Sequence, residues 1–149
     1  MGEPQVLIVG AVESARQLHT RGDQGTRWPL HSSSLGKAMM SALPPDEIAE
    51  LLGDRDLPRF TKNTISSLAE MERELARVRT RGYAVDQQEN EPGVCCVAAP
   101  VSDNLQGIVA AVSISGPTVR IREESLQEFG RLVIAASRAI GRYSRQETP

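Results

Sequence analysis

The chain has 149 residues, 40% hydrophobic and 24% charged, the balance of a soluble single domain and not of a disordered tail or a collagen-like fibre. Its net charge is −2, from 17 Lys and Arg against 19 Asp and Glu, and only 3% of residues are aromatic. Both figures argue against nucleic-acid binding by this chain alone, since phosphate contacts need a basic face and base stacking needs aromatic platforms.

No run approaches the ~20 apolar residues of a membrane helix. The opening Met1-Gly2-Glu3-Pro4 shows no basic, then apolar, signal-peptide pattern. The adjacent Cys95 and Cys96 suit normal disulfide geometry poorly and read as free thiols of a reducing cytosol.

In chain order, the apolar run Val6–Val12 predicts a buried strand. A more polar strand is expected through Gln17-Leu18-His19, followed by a turn over Arg21–Gly25. The serines before Leu35 are N-cap candidates, so a helix should start near Ser32 to Ser34 and stop at Pro44-Pro45. Pro45, Asp46 and Glu47 suit the start of a second short helix, closed by Gly53.

Ser67-Leu68-Ala69-Glu70 has capping-box spacing, and Leu68, Met71, Leu75 and Val78 form the apolar stripe behind it, with Gly82 as the stop. Tyr83–Asp86 reads as a strand and Glu91-Pro92-Gly93 as a turn. Val94–Val101 is a strand, turned at Asp103-Asn104 onto an antiparallel partner at Ile108–Ser115. A last helix is expected over about Glu123–Gly141, with Leu126, Phe129, Val133, Ala136 and Ile140 inward and a solvated tail from Arg142. This order predicts an α+β fold with an antiparallel sheet.

Four features are chemically suggestive, and each also suits plain structure. Ser34-Leu35-Gly36-Lys37 at a helix start offers backbone N–H groups to an anion; it equally suits a capped helix with Gly36 packed on a neighbour. Asp86 is an acid in an apolar strand, where a buried charge needs a partner; the position equally suits a solvent-facing strand residue. Strand alternation sets Val94, Cys96 and Ala98 on one face and Cys95, Val97 and Ala99 on the other; both cysteines also suit small core positions. Ser113 and Ser115, two apart, share a face, as a ligand site or as a solvated sheet surface.

Enzyme signatures are weak. There is no Gly-x-Ser-x-Gly elbow, no metal-ligand spacing and no support for a Cys–His pair with His19 or His31. Asp86 and Glu89 form a carboxylate pair of commonplace spacing.

Taken together, Pro29-Leu30-His31, Leu35-Gly36-Lys37-Ala38, Thr64-Ile65, the Leu75 to Asp86 segment, Glu89, Gly93 to Val101 and Val112 to Pro117 resemble the C-terminal effector-binding domain of the IclR family of bacterial transcriptional regulators. The resemblance spans roughly Gly22–Gly141. It implies a GAF/profilin-like curved antiparallel sheet flanked by helices. It also implies a pocket for a small metabolite, a carboxylate or aromatic acid, lined by Ser34, Leu35, Gly36, Asp86, Val94, Cys96, Ser113 and Ser115. Met39 is an expected apolar wall.

No cofactor or metal is expected. The partners implied are a small-molecule effector and further copies of the chain, as a homodimer or homotetramer in the cytoplasm. DNA would be reached only through a winged helix-turn-helix domain that residues 1–149 lack, so the chain reads as a single effector-binding domain, like an excised fragment. Two other readings are a small-molecule-modifying enzyme with a Cys96 nucleophile and a module that only self-associates. Cys95 departs from the family pattern, in which polar residues often occupy this position.

Overall fold

The computed structural model describes residues 3–13, 15, 23–53, 56–103 and 107–144. Its central sheet has three antiparallel strands in the order β3-β4-β5: β3 Ala84–Gln87, β4 Val94–Asp103 and β5 Gly107–Pro117. Two short strands, β1 Gln5–Leu7 and β2 Arg27–Pro29, form a separate antiparallel ribbon. Helices α1 Ser34–Met40, α2 Pro45–Leu52, α3 Leu68–Arg81 and α4 Leu126–Ser144 complete the described fold, with a 3-10 turn at Glu123–Ser125 before α4. The fold is α+β, as the element order implied.

Alternation along β4 gives the sheet two apolar faces. Val85, Cys95, Val97 and Ala99 pack with Ile121 and Val133 on the α4 side. Ala84 and Ala98 pack with Ala38 of α1 and Val78 of α3 on the other. Small side chains on this second face let α1 lie close across all three strands. A third cluster joins Val6, Leu30 and Met40 to Ile48, Leu52, Met71 and Leu75, tying the β1–β2 ribbon to α1, α2 and α3.

The caps follow the sequence signals. Ser67 Oγ accepts the Glu70 N–H at 3.3 Å. Gly82 ends α3 at φ +87°, a left-handed position that disfavours side chains.

Three expectations need correction, one short strand had no counterpart among them, and two fall on residues that are not described. The Val6–Val12 strand shortens to Gln5–Leu7, because Val9 and Val12 are exposed and give no buried face to hold the run extended. The Gln17–His19 strand lies outside the described residues, as does Asn104 of the hairpin turn. β2, only three residues long and ending in Pro29, gave no strand signal. α1 ends at the Ser41 C-cap, before Pro44, when the chain turns toward α2. In α4 the helix continues through Arg142 to Ser144, and Ile140 is 46% exposed.

The last result has a steric cause. α4 meets the sheet through Gly130, Val133, Ser137 and Gly141, all buried. A Cβ at Gly130 would sit 2.4 Å from the Tyr83 ring, and one at Gly141 would sit 2.8 Å from the Ser102 carbonyl oxygen. Ser137 Oγ donates to the Pro100 carbonyl at 2.5 Å. Close backbone approach, not the largest apolar side chains, sets the phase of this helix.

Candidate functional site

The sheet register brings the expected polar residues together. Asp86 of β3 opposes Cys96 of β4, which opposes Ser115 of β5. One step along, Ala84, Ala98 and Ser113 form the next row. These rows lie on the face that α1 covers, where Leu35 packs with Ala38, Ala84 and Ala98. Exposure rises along the first row: Asp86 is buried, Cys96 half-buried and Ser115 exposed. The result is a polar shelf with a closed end at Asp86 and an open end at Ser115. Val94, half-buried, is the start of β4 on the same face.

Other expected residues fare differently. Ser34 opens α1 and is buried. Gly36 is not an open approach for a ligand. Its N–H donates to Ser33 Oγ at 3.1 Å, and a Cβ there would lie 2.1 Å from the Leu30 carbonyl oxygen. The glycine is required by chain crossing, and its amide is used by the helix cap. Met39 packs on the Val6–Leu30–Met40 cluster, and Leu35 alone of the two also joins the sheet-face cluster. Cys95 points to the α4 side, 2% exposed among core residues, away from the shelf.

The electrostatics of the shelf are governed by burial. Desolvation raises the Asp86 carboxyl to about 7, against the N–H of Glu89, which its Oδ1 accepts at 2.7 Å. The carboxylate of Glu89 also raises it, and Lys37 lowers it. Burial pushes the Cys96 thiol up to about 12, helped by Asp86, while a hydrogen bond with Ser115 works the other way. Cys95 is raised to about 11, first by burial. A nucleophilic cysteine needs a depressed value to supply thiolate at neutral pH. Both thiols here move in the opposite direction, which disfavours the covalent-enzyme reading.

A second constellation escaped the sequence reading. Lys37, 0% exposed, donates to both carboxylate oxygens of Glu89 at 2.7 and 2.8 Å and to the Val85 carbonyl oxygen. Desolvation raises Glu89, and Lys37 opposes this. Ser32 Oγ donates to Asn90 Oδ1 at 2.7 Å, and Thr64 Oγ1 donates to the Glu89 carbonyl at 2.6 Å. The segment after β3 is thus pinned to α1 and to the loop before α3. A signal existed: Lys37 is the one charge in an otherwise apolar and small-residue helix, and a charge buried there needs an acidic partner.

Two cavities open elsewhere. One of about 230 Å³ lies between the end of β4 and α4, at Ser102, Ser137 and Arg138. The other, about 480 Å³, lies by Gln87, Cys95 and Val119. Neither is lined by Ser34, Asp86, Cys96, Ser113 or Ser115. Register and convergent polar groups, not cavity size, locate the candidate site. Among the described residues no group of three or more His, Cys, Asp and Glu is placed to hold a metal, and no helix is long and apolar enough to cross a membrane.

Comparison with known proteins gives a consistent result. A family model described as bacterial transcriptional regulator IclR, C-terminal, matches residues 1–142. The HTH-type transcriptional repressor AllR of Klebsiella pneumoniae is 35% identical over 136 residues, covering 91% of this chain and 50% of that protein. The crystal structure of Thermotoga maritima IclR matches with a TM-score of 0.81 at 35% identity, covering 89% of this chain and 53% of that one. A crystal structure of the PobR inducer-binding domain from Acinetobacter, a double mutant in complex with 3-hydroxybenzoic acid, matches with a TM-score of 0.79 at 25% identity. It covers 92% of this chain and 81% of that one. The chain spans about half the length of the curated relatives it matches.

Proposed function

This chain belongs to the IclR C-terminal family of bacterial transcriptional regulators, and on that premise we propose that it is a single effector-binding domain whose ligand is a small organic acid seated on the α1-covered sheet face. The observation that carries this reading is the Asp86–Cys96–Ser115 row with Ser113 beside it. Four side chains able to hydrogen-bond converge on one face of three strands. That face has an apolar border at Leu35 and Val94.

In this reading the ligand carboxylate meets the first-turn amides of Ser34 and Leu35, since the Gly36 amide is engaged by Ser33. Cys96, Ser113 and Ser115 hold the remaining polar atoms. With its carboxyl raised to about 7, Asp86 is largely protonated below neutral pH and donates a hydrogen bond to the ligand. Met39 borders the site from the neighbouring cluster. The 3-hydroxybenzoic acid complex of the PobR domain supports an acid as the ligand class.

The chain acts by binding rather than by chemistry, without metal or cofactor, in the cytoplasm. In the intact regulator, effector binding biases the DNA-competent arrangement through differential affinity for two states. DNA contacts come from outside residues 1–149.

A thermal-shift screen tests the ligand class. The panel holds glyoxylate, dicarboxylates and hydroxybenzoates, each beside its uncharged amide. An acid at roughly 100 times its Kd adds about 2.7 kcal/mol of stability, which raises the Tm of a domain of this size by several degrees. The expected outcome is a hit among the acids that its amide does not reproduce. A flat response to every acid, or equal shifts from acid and amide, contradicts the carboxylate reading.

A further inference from the structure

The cavity of about 480 Å³ beside Cys95 and Val119 has the size, roughly 300–1,000 Å³, usual for small-molecule pockets. It lies on the α4 side of the sheet, opposite the polar shelf, because Cys95 and Cys96 point to different faces. Its floor is Cys95 and Ile121, which are 2% and 4% exposed. Gly116 pairs with Cys95 across the sheet, and without a side chain there Ile121 seats directly on the strands: a Cβ at Gly116 would lie 3.1 Å from its Cδ1. The rim is held in place by its own hydrogen bonds. The Thr118 N–H donates to the Gly93 carbonyl at 2.9 Å, the Ile121 N–H to the Pro117 carbonyl at 3.1 Å, and Arg122 Nε to the Val119 carbonyl at 3.3 Å.

The charges on this rim do not pair with one another. Arg122, Glu123 and Glu124 border the cavity and are exposed, yet none enters an ion pair among the described residues. Gln88 Oε1 accepts the Gly93 N–H at 2.9 Å, which leaves the NH2 end of that carboxamide as a donor beside the cavity. Val119, 65% exposed, adds an apolar wall.

We propose that this cavity is a second ligand site and that its ligand is an α-amino acid with an apolar side chain. The Arg122 guanidinium and the Gln88 amide take the carboxylate, in the charge-assisted bonding that suits arginine. Glu123 and Glu124 take the ammonium. The side chain lies along Val119 onto Ile121 and Cys95. A simple anion or a simple cation would meet a like charge on this rim as well as an opposite one, whereas a zwitterion answers both. The site is separate from the effector shelf, and the proposal survives the failure of that reading.

The test is titration of the 15N-labelled wild-type chain with L-leucine and L-methionine, read by backbone amide NMR shifts. The controls are 4-methylpentanoate, which is leucine without its amino group, and isopentylamine, which is leucine without its carboxylate. At least one of the two amino acids should shift the amides of Gln88, Cys95, Val119 and Glu123 saturably, and leave those of Ser34 and Ser115 in place. Each control should bind at least roughly tenfold more weakly, and so should R122A and the E123Q/E124Q double variant bind the amino acid, since a hydrogen bond to a charged group is worth about that factor or more. The substituted residues are exposed, so these variants should melt near the wild type, which separates loss of the site from loss of the fold. Unmoved amides at millimolar leucine and methionine, equal binding of either control, or unchanged affinity in either variant overturns the proposal. Shifts confined to Ser34, Cys96 and Ser115 overturn it as well, by placing the amino acid on the effector shelf.

Discussion

Replacing Lys37 by Met should destabilise the domain by about 3–5 kcal/mol at pH 8, the usual cost of leaving one partner of a buried ion pair uncompensated. The ammonium is wholly buried and satisfies both oxygens of Glu89 together with the Val85 carbonyl. Methionine fills a similar volume, so the loss is electrostatic and not a cavity. Two controls follow from that cause. The loss should shrink at pH 5, because burial already raises the Glu89 carboxyl and its protonation removes the stranded charge. Adding Glu89→Leu to Lys37→Met should recover most of the loss, since a buried pair replaced by apolar groups is often near neutral. Urea unfolding of the two variants and the wild type measures this. A single variant within about 1 kcal/mol of the wild type would mean that the pair is solvated and does not anchor the segment after β3.

Asp86→Asn should remove a pH dependence. The Asp86 carboxyl is raised to about 7 in the folded protein and returns to about 3.9 when unfolded. Between these values the folded state holds a proton that the unfolded state has lost. Stability from this group is therefore complete below about pH 4 and falls as pH rises toward about 7. Three units correspond to roughly 4 kcal/mol at most. An asparagine keeps an oxygen for the Glu89 N–H and has no charge to expel. The variant should match the wild type near pH 4 and exceed it increasingly up to pH 8, with a flatter curve of Tm against pH. Parallel curves for the two proteins would show that Asp86 ionises freely in the folded state. The same proton makes Asp86 a donor to an acidic ligand, so the stability measurement and the binding reading share one cause.

Local chemistry made much of the fold legible. Ser67, Gly82 and Pro45 mark real helix boundaries. The period of two along β4 separated Cys96 from Cys95, and along β5 it joined Ser113 to Ser115; the register then sets Cys96 and both serines on one face. What stayed hidden depends on contacts far apart in the chain. Lys37 and Glu89 are 52 residues apart, and no short motif reports such a pair. Gly36 suits both an opening for a ligand and a glycine packed on a neighbour, and it is the second, a crossing point with Leu30. Only the path of the chain before α1 decides between these. In α4 the choice of Ile140 as a core residue followed size. The actual contact uses Gly130, Ser137 and Gly141, because the sheet there admits only small side chains. The Asp86–Cys96 pairing needed the length of the β3–β4 connection, which includes Gln88 at φ +58° and Gly93 at φ +80°.

The central claim is that the α1-covered sheet face binds the effector, and the direct measurement is calorimetric titration of a screened acid into the wild type and the S113A/S115A double variant. Ser115 is exposed and Ser113 half-buried, so the double variant should melt close to the wild type. Each hydroxyl that bonds a charged ligand contributes about 1.5–3 kcal/mol, so the account predicts a fall in affinity of at least roughly tenfold. Equal affinity in the two proteins, with both folded, would contradict it and place the ligand elsewhere on the domain.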